Sequence, residues 1–177
     1  MTSEPLIVVT GPPGAGKTTV ARLLVQRYEP GVLVAGDDFF GCIARGFVEP
    51  WLAGSSDQNT TVISASAAAC GRFAAGGYTV VYDGVIGPWF IEHFVEATGV
   101  DGIHYTILMP DEEVCVNRVR NRAEHPFADV DATRHMYRQF AEANPDPRHI
   151  VTGGPDPEST AAAIFDLVRA ERAVLSR

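Results

Sequence analysis

Short runs of apolar residues alternate along the chain with longer segments in which apolar residues recur every three or four positions. The short runs predict five strands, at residues 6–10, 32–35, 79–82, 104–109 and 149–152. The longer segments predict helices at residues 18–28, 57–75, 89–97, 131–143 and 157–175, and one more after the N-cap candidate Asp111. This alternation predicts an α/β three-layer sandwich around a mainly parallel five-stranded sheet.

The segments between these elements contain no internal repeat and no interdomain linker, so residues 1–177 are expected to form a single domain. The second strand runs directly into Gly36-Asp37-Asp38-Phe39-Phe40. Residues 41–56 are rich in helix breakers and predict an irregular loop. Residues 124–127 break the helix that begins after Asp111.

The first strand continues into a glycine-rich stretch that matches the pattern G-x-x-x-x-G-K-[ST] at each fixed position. A strand before it and a helix after it favour a phosphate-binding loop over an ordinary glycine-rich turn, because backbone N–H groups and a helix N-terminus can then converge on one anion. Lys17 is the only lysine in the chain, and it would reach the β- and γ-phosphates while the Thr18 hydroxyl binds Mg²⁺. The predicted nucleotide contacts are Gly11, Pro12, Pro13, Gly14, Ala15, Gly16, Lys17, Thr18 and Thr19.

Acidic residues follow the second and third predicted strands, at the edge of the sheet where the loop lies. Asp37 and Asp38 could orient and deprotonate a hydroxyl group, or bind Mg²⁺ through water. The alternative is that one of them caps the next helix. Asp83 could hold a water on the metal or bind the acceptor, although turns also use Asp routinely.

Two further groups of side chains have both a functional and a structural interpretation. Arg118 and Arg122 are one helical turn apart and could clamp phosphates, or they could form a solvated face partly neutralised by nearby glutamates. Six aromatic residues in the segments after strands two and three could wall an acceptor pocket or simply pack in the core: Phe39, Phe40, Trp51, Trp89, Phe90 and Phe94.

Composition narrows the class of protein. The net charge of −8 disfavours a broad nucleic-acid or anionic-membrane partner. Three scattered cysteines suggest buried, reduced thiols in a cytoplasmic protein, and no signal peptide or membrane-spanning stretch is indicated. The N-K-x-D signature that reads guanine is excluded because no second lysine exists.

The chain resembles the small phosphate-loop kinases of the group that contains chloramphenicol phosphotransferase, shikimate kinase and gluconate kinase. The motifs that carry the resemblance lie at residues 11–18, 36–40, 80–84 and 118–122. The resemblance implies strand order 2-3-1-4-5, use of ATP with Mg²⁺, and transfer of the γ-phosphate to an acceptor hydroxyl. It also implies that Asp37, with Asp38 next, is the base or acceptor orienter, and that Arg118 and Arg122 belong to a lid.

These observations together predict an ATP-dependent kinase that acts on a small-molecule hydroxyl acceptor, a metabolite or an antibiotic. The acceptor-binding segment is expected at about residues 39–75 and the lid at about residues 118–130. No signature for shikimate or gluconate is evident, whereas the aromatic residues would suit a bulky, partly apolar acceptor. Two alternatives stay open: a kinase for a nucleotide, a polynucleotide or a tRNA-linked group, and an ATP-dependent switch or ATPase.

Overall fold

A computed structural model describes residues 5–121 and 128–176 of this α/β protein. Its sheet contains the strands β1 (Leu6–Thr10), β2 (Gly31–Ala35), β3 (Thr79–Asp83), β4 (Gly102–Leu108), β5 (Ile150–Val151) and β6 (Val174–Ser176). The parallel strands lie in the order β2-β3-β1-β4-β5. This order confirms the predicted 2-3-1-4-5 arrangement, to which β6 is an addition.

Seven α-helices connect or flank these strands within the described residues. They are α1 (Lys17–Val25), α2 (Gly36–Gly41), α3 (Ser56–Ala75), α4 (Ile91–Thr98), α5 (Glu112–Arg120), α6 (Val130–Glu142) and α7 (Pro157–Arg169). Residues 42–55 form no helix or strand, as predicted for the irregular loop. The short helix α2 was not predicted, and it places Asp37 and Asp38 in a first helical turn.

The C-terminal segment differs from its prediction as one long helix over residues 157–175. Helix α7 ends at Arg169, and the chain then reverses through Glu171 and Ala173, whose φ angles are 51° and 60°. Strand β6 pairs antiparallel with residues 102–104 of β4. The two-residue strand β5 covers only the far end of the same edge, so β6 satisfies backbone groups of β4 that would otherwise remain unpaired.

The sheet separates two apolar layers because side chains alternate in direction along each strand. Leu6 and Val8 of β1 face α3 and α4, and Phe140 of α6 joins this layer. Ile7 and Val9 face α1, α5 and α7. Helices on both faces leave the carboxyl ends of the parallel strands as the open edge at which a ligand can bind.

The cysteines are all free, as expected, but only Cys70 and Cys115 are buried, whereas Cys42 is exposed. The prediction of buried thiols is therefore wrong for Cys42, which follows the exposed end of α2. Within the described residues, no helix has both the length and the hydropathy that crossing a bilayer requires.

Candidate active site

The glycine-rich loop between β1 and α1 is held close to the backbone of two neighbouring elements. Gly14 has a φ angle of 80°, and a Cβ atom there would collide with the carbonyl group of Cys115 in α5. At Gly11, with a φ angle of 141°, a Cβ atom would meet the backbone of Leu108 at the end of β4. Only glycine satisfies both the backbone conformation and the close approach.

The loop ends at the N-terminus of α1, where Gly16 is the N-cap residue and no side chain caps the helix. The first N–H groups of α1 are therefore available to an anion. The Lys17 ammonium group lies beside them and donates a hydrogen bond to the carbonyl oxygen of Pro12 at 3.1 Å. This arrangement has the parts that a phosphate site needs.

Sheet register brings the acidic residues to the same edge as the loop. Asp83, the last residue of β3, lies opposite Val9 of β1 on one side and Ala35 of β2 on the other. Asp37 follows two residues after Ala35 and lies close enough to raise the pKa of the Asp83 carboxyl. The three strand ends thus gather the loop and two carboxylates, as the sequence predicted.

Asp83 is a buried carboxyl group, with a relative exposure of 7%. Burial raises its pKa, and the nearby Asp37 charge adds to this effect. A hydrogen bond from the Thr18 hydroxyl and the positive charge of Lys17 oppose the rise in pKa. The side-chain oxygen atoms of Thr18 and Asp83 therefore lie next to each other beside the phosphate loop.

A cavity of about 890 Å³ opens on this side of the loop. Its floor includes Lys17, Thr18, Asp37 and Asp83, and its walls come from residues 47–56, from the segment after β3 and from α6. We call it the larger cavity. A volume of this size can hold a drug-sized molecule against the phosphate loop.

The segment after β3 is fixed at its centre by the backbone of Ile86. The Ile86 N–H donates to Thr10 Oγ1 at 2.8 Å, and the Ile86 carbonyl accepts a hydrogen bond from the Tyr105 hydroxyl at 2.7 Å. Trp89, three residues on, packs its ring against Phe140 of α6 with the centroids 5.2 Å apart. This wall of the larger cavity is therefore anchored to β1, β4 and α6.

A second cavity, of about 680 Å³, lies on the other side of the loop. Gly14 and Gly16 line both cavities, while Thr19 and Arg118 line this smaller cavity. Its opposite wall is the segment 151–157 between β5 and α7. The phosphate loop thus lies at the junction of two cavities.

Arg118 of α5 contacts the loop directly, although its side chain is largely exposed. Its Nη1 donates to the carbonyl oxygens of Gly14 at 3.2 Å and Ala15 at 3.3 Å. Arg120 is exposed and does not line the smaller cavity, as expected for a different helix face. Arg122 lies outside the described residues, so the predicted pairing of Arg118 and Arg122 stays a prediction.

The glutamates near these arginines are engaged elsewhere. Arg134 of α6 pairs with Glu112 and with Glu113, each at 2.8 Å. Neither glutamate forms an ion pair with an arginine of α5 among the described residues, and Glu124 lies outside them, so the interpretation of a solvated, partly neutralised face stays a prediction. The pairs join α5 to α6 instead.

The structure distinguishes the two adjacent aspartates. Both are exposed, but Asp37 lines the larger cavity and Asp38 does not. Neither caps α2, since its N-cap residue is Ala35 and no side chain bonds there. The alternative of a purely capping role is thus wrong for both residues.

The six predicted aromatic residues divide between the cavity and the core. Phe40, Trp51, Trp89 and Phe90 line the larger cavity. Phe94 is fully buried against Tyr82, and Phe39 packs on the same apolar layer. The packing interpretation holds for Phe94 and Phe39, while the four cavity residues have the position that an acceptor pocket requires, and their role there stays a prediction.

Several cavity residues were not singled out from the sequence. They are Asp129, His135, Met136 and Gln139 around α6, and Asn117 and Asn121 beside Arg118. Asn121, the C-cap residue of α5, lies three positions after Arg118 and four after Asn117, and this helical spacing was the available signal. For the α6 residues the sequence carried no such signal, because their position depends on how α6 packs against the rest of the chain.

The side chains around the loop suit a magnesium nucleotide. Thr18 and Asp83 offer the hard oxygen ligands that Mg²⁺ prefers, and the hydrogen bond between them shows that both face one point. No cluster of three or more His, Cys, Asp or Glu side chains that could hold a metal ion by themselves occurs among residues 5–121 and 128–176. In nucleotide sites, Mg²⁺ is usually held by one or two protein oxygen ligands together with the phosphates.

The chain is similar to several known proteins. The sequence profile of the AAA_33 family, described as an AAA domain, matches residues 6–144. A shikimate kinase from Streptomyces coelicolor is 27% identical over 186 residues, covering 97% of this chain and 99% of that protein.

Solved structures share the fold. The tunicamycin resistance protein of Deinococcus radiodurans has a TM-score of 0.69 at 19% identity, covering 93% of this chain and 95% of its own. A gluconokinase from Sinorhizobium meliloti has a TM-score of 0.62 at 18% identity, covering 97% of each chain. The predicted resemblance to small phosphate-loop kinases and the predicted fold class are confirmed, and the relatives support the predicted class of ATP-dependent kinase.

Proposed function

We propose an activity for this chain, which belongs to the AAA_33 family of AAA domains. The chain is an ATP- and Mg²⁺-dependent phosphotransferase that moves the γ-phosphate to a hydroxyl group of a small molecule. One observation carries the proposal: Lys17 and Thr18 of the loop share the larger cavity with the carboxylates of Asp37 and Asp83. Phosphoryl transfer needs a phosphate clamp, a metal ligand and a group that takes the proton of the acceptor. All three kinds of group line this cavity.

The nucleotide is proposed to occupy the smaller cavity and to reach the loop with its phosphates. Thr19 and Arg118 line that cavity, and Gly14 and Gly16 connect it to the larger one. The backbone N–H groups of residues 14–19 and the Lys17 ammonium group bind the phosphates, while Pro12 and Pro13 carry no N–H. Arg118 supports the loop through the carbonyl oxygens of Gly14 and Ala15.

Mg²⁺ would be held by the Thr18 hydroxyl and, directly or through water, by Asp83. When bound, such a cation neutralises phosphate charge. The Lys17 ammonium group adds a second positive charge at the same place. Each of these groups is positioned by the end of a sheet strand or by the start of α1.

Asp37 is proposed to orient the acceptor hydroxyl and to accept its proton. Its exposed carboxylate lines the cavity, whereas Asp38 lies outside the lining, which supports Asp37 over Asp38. Asp83 is more buried and is engaged by Thr18, which suits a metal-binding role better than that of a mobile base.

The predicted subdivision of the domain is part of the same proposal. Residues 39–75 supply one wall of the larger cavity and would contact the acceptor. Residues 118–130, which include Arg122, would act as the lid. A cytoplasmic location stays a prediction.

Asparagine substitutions at the two aspartates test the proposal with a matched pair. The purified protein is incubated with Mg-ATP and a panel of hydroxyl-bearing metabolites and antibiotics, and release of ADP is measured. Asp37→Asn is expected to lower acceptor-dependent release at least about a hundredfold, because the general base is lost, with the affinity for ATP nearly unchanged. Asp38→Asn is expected to keep most of the activity.

Several results would contradict the proposal. Full activity of the Asp37→Asn variant would remove Asp37 from its role. If no compound in a wide panel stimulates ADP release, the chain is not a small-molecule kinase. Rapid ATP hydrolysis without any acceptor would instead favour the ATPase or switch alternative.

A further inference from the structure

The walls of the larger cavity are mainly apolar, and several of their large side chains are open to solvent. Phe47, Leu52 and Trp89 have relative exposures of 42%, 52% and 45%. Aromatic rings of Phe40, Trp51 and Phe90 continue the same lining. Exposed apolar side chains gathered around one concave site favour a ligand with an apolar or aromatic body, which would remove them from water.

The charged residues that line this cavity are predominantly acidic. Four carboxylates belong to the lining: Asp37, Glu49, Asp83 and Asp129. Among the lining residues that the structure describes, Lys17 is the only lysine or arginine, and its place at the phosphate loop commits it to the nucleotide. An anionic acceptor would meet no further arginine or lysine in the described part of the lining and would approach several negative charges.

Three arginines close to the loop or to α6 do not line the larger cavity. Arg22 of α1, whose charge acts on Asp83, is outside its lining. Arg118 bonds to the loop and lines the smaller cavity. Arg134 is paired with Glu112 and Glu113. None of the three lines the larger cavity, so none can bind a carboxylate of the acceptor directly in this arrangement.

The wall segment that carries Glu49 is held in place by hydrogen bonds within the protein. The Gln58 side chain of α3 accepts a hydrogen bond from the Val48 N–H at 2.8 Å and donates to the Val48 carbonyl at 2.6 Å. Asn59 donates to the carbonyl oxygen of Pro50 at 2.8 Å. Glu49 thus lies between two anchored residues, and its exposed carboxylate belongs to a fixed part of the wall.

We infer that the acceptor is a hydroxyl compound with an apolar or aromatic body and without a carboxylate or phosphate group. The inference rests on the proposed function, since it assigns the larger cavity to the acceptor. It disfavours sugar acids and phosphorylated sugars as acceptors, because their anions would approach four carboxylates while Lys17, the one lysine or arginine in the described lining, serves the nucleotide.

Three aromatic alcohols of one shape and different charge test the inference: para-hydroxymethyl benzamide, para-hydroxymethyl benzylamine and para-hydroxymethyl benzoate. Binding is measured by titration calorimetry with Mg²⁺ and a non-hydrolysable ATP analogue present. The amide and the amine are expected to bind at least about tenfold more tightly than the carboxylate, because the carboxylate is repelled and desolvated without a partner.

A charge-reversal pair supplies the control. Glu49→Arg is expected to narrow the difference in binding affinity between the amide and the carboxylate, since it puts a cation in the cavity wall. Glu96→Arg makes the same change in net charge on the exposed side of α4, outside the cavity lining, and is expected to leave the difference unchanged.

The outcomes separate this inference from the proposed function. If the ATP analogue itself does not bind, the proposed function fails. If the analogue binds but the carboxylate binds as well as the amide does, or none of the three alcohols binds, the inference is overturned while the nucleotide site stands. An equal effect of Glu96→Arg and Glu49→Arg would also overturn it, since the discrimination would then be a property of net charge alone.

Discussion

At the scale of single residues, the site combines two carboxylates in different surroundings. Asp83 is buried at the end of β3 and receives a hydrogen bond from Thr18, whereas Asp37 is exposed to the larger cavity. An ionised carboxylate that is buried costs folding free energy unless charges or hydrogen bonds offset it. Here the pKa of Asp83 remains raised despite Thr18 and Lys17, so burial outweighs those contacts in the free protein.

Asp83→Asn is therefore expected to stabilise the ligand-free protein. Because the pKa of Asp83 in the folded chain is above its ordinary value of 3.8, the ionised form lowers the free energy of unfolding at every pH above that value. The unfolding temperature of the variant should exceed that of the parent at about pH 7, and the difference should disappear as pH falls towards 3.8. Circular dichroism melting curves over this range measure it.

The same pair of proteins gives a second measurement with Mg²⁺ and an ATP analogue. The parent is expected to gain more thermal stability from the ligand than Asp83→Asn does, because the variant loses a metal ligand.

A lower unfolding temperature of the ligand-free variant at about pH 7 would contradict the first of these two expectations, since it would mean that Thr18 and Lys17 make the charged carboxylate stabilising.

At the scale of elements, the phosphate loop is supported from behind by α5. The close approach of Gly14 to the Cys115 carbonyl leaves no room for a side chain, and Arg118 from the next turn bonds to two loop carbonyl oxygens. Helix α5 is itself tied to α6 through Arg134. Helices α5 and α6 therefore form one connected support for the loop and for the proposed nucleotide site.

Arg118→Ala is expected to weaken binding of an ATP analogue by roughly threefold to tenfold, because two hydrogen bonds from a charged but solvent-exposed donor are lost. Arg120→Ala removes the same charge from another face of α5 and is expected to leave the affinity nearly unchanged. Calorimetric titration of both variants and the parent measures the difference. Equal affinities of the two variants would show that Arg118 does not support the loop.

At the scale of the whole molecule, the outer edge of β4 is closed by two separate pieces of the chain. Strand β5 pairs with Ile107 and Leu108, and β6 pairs with residues 102–104. His149 lies buried beside β5, with Nδ1 at 3.0 Å from the Tyr105 carbonyl and Nε2 at 3.2 Å from the Arg148 Nε donor. Only the neutral ring that carries its proton on Nδ1 satisfies both contacts.

Acid is therefore expected to destabilise the protein at this edge. Burial lowers the pKa of His149 below its ordinary value of 6.5, and the Arg148 charge adds to the effect, while Asp146 opposes it. A histidine whose pKa is lowered by folding contributes fully to the free energy of unfolding above pH 6.5. This contribution is lost as the pH falls below that value. Burial lowers the pKa of His104 in β4 as well, which gives the same sign.

Denaturant unfolding between about pH 7 and pH 5 measures this dependence. The raised pKa of Asp83 contributes the opposite sign in both proteins, so the quantity compared is the difference between them. The parent is expected to lose more free energy of unfolding over this range than His149→Asn, which retains a donor near the Nδ1 position. His135→Asn makes the same substitution at an exposed histidine of α6 and serves as the control. The same slope in the parent and in His149→Asn would contradict the assignment.

Much of the fold follows from local sequence patterns. The apolar runs are long enough to specify β1 and β3, and the motif at residues 11–18 specifies the turn between β1 and α1, because glycine alone permits its backbone conformation and its close contacts. Asp83 could be placed from its position after β3. The local sequence patterns did not predict α2 and β6, because these elements are short and depend on contacts with distant residues.

The sequence by itself determined the phosphate loop, the sheet order through its resemblance to known kinases, and the edge of the sheet at which Asp37 and Asp83 meet. Only the tertiary structure decided that Asp37 and not Asp38 lines the cavity, and that Trp89 walls it while Phe94 packs in the core. From the sequence, two adjacent aspartates or two nearby aromatic residues cannot be told apart. The direction of each side chain depends on how helices from elsewhere in the chain pack against it. The character of the larger cavity, apolar and acidic, was decided in the same way, because α3, α6 and the segment after β3 contribute to it together.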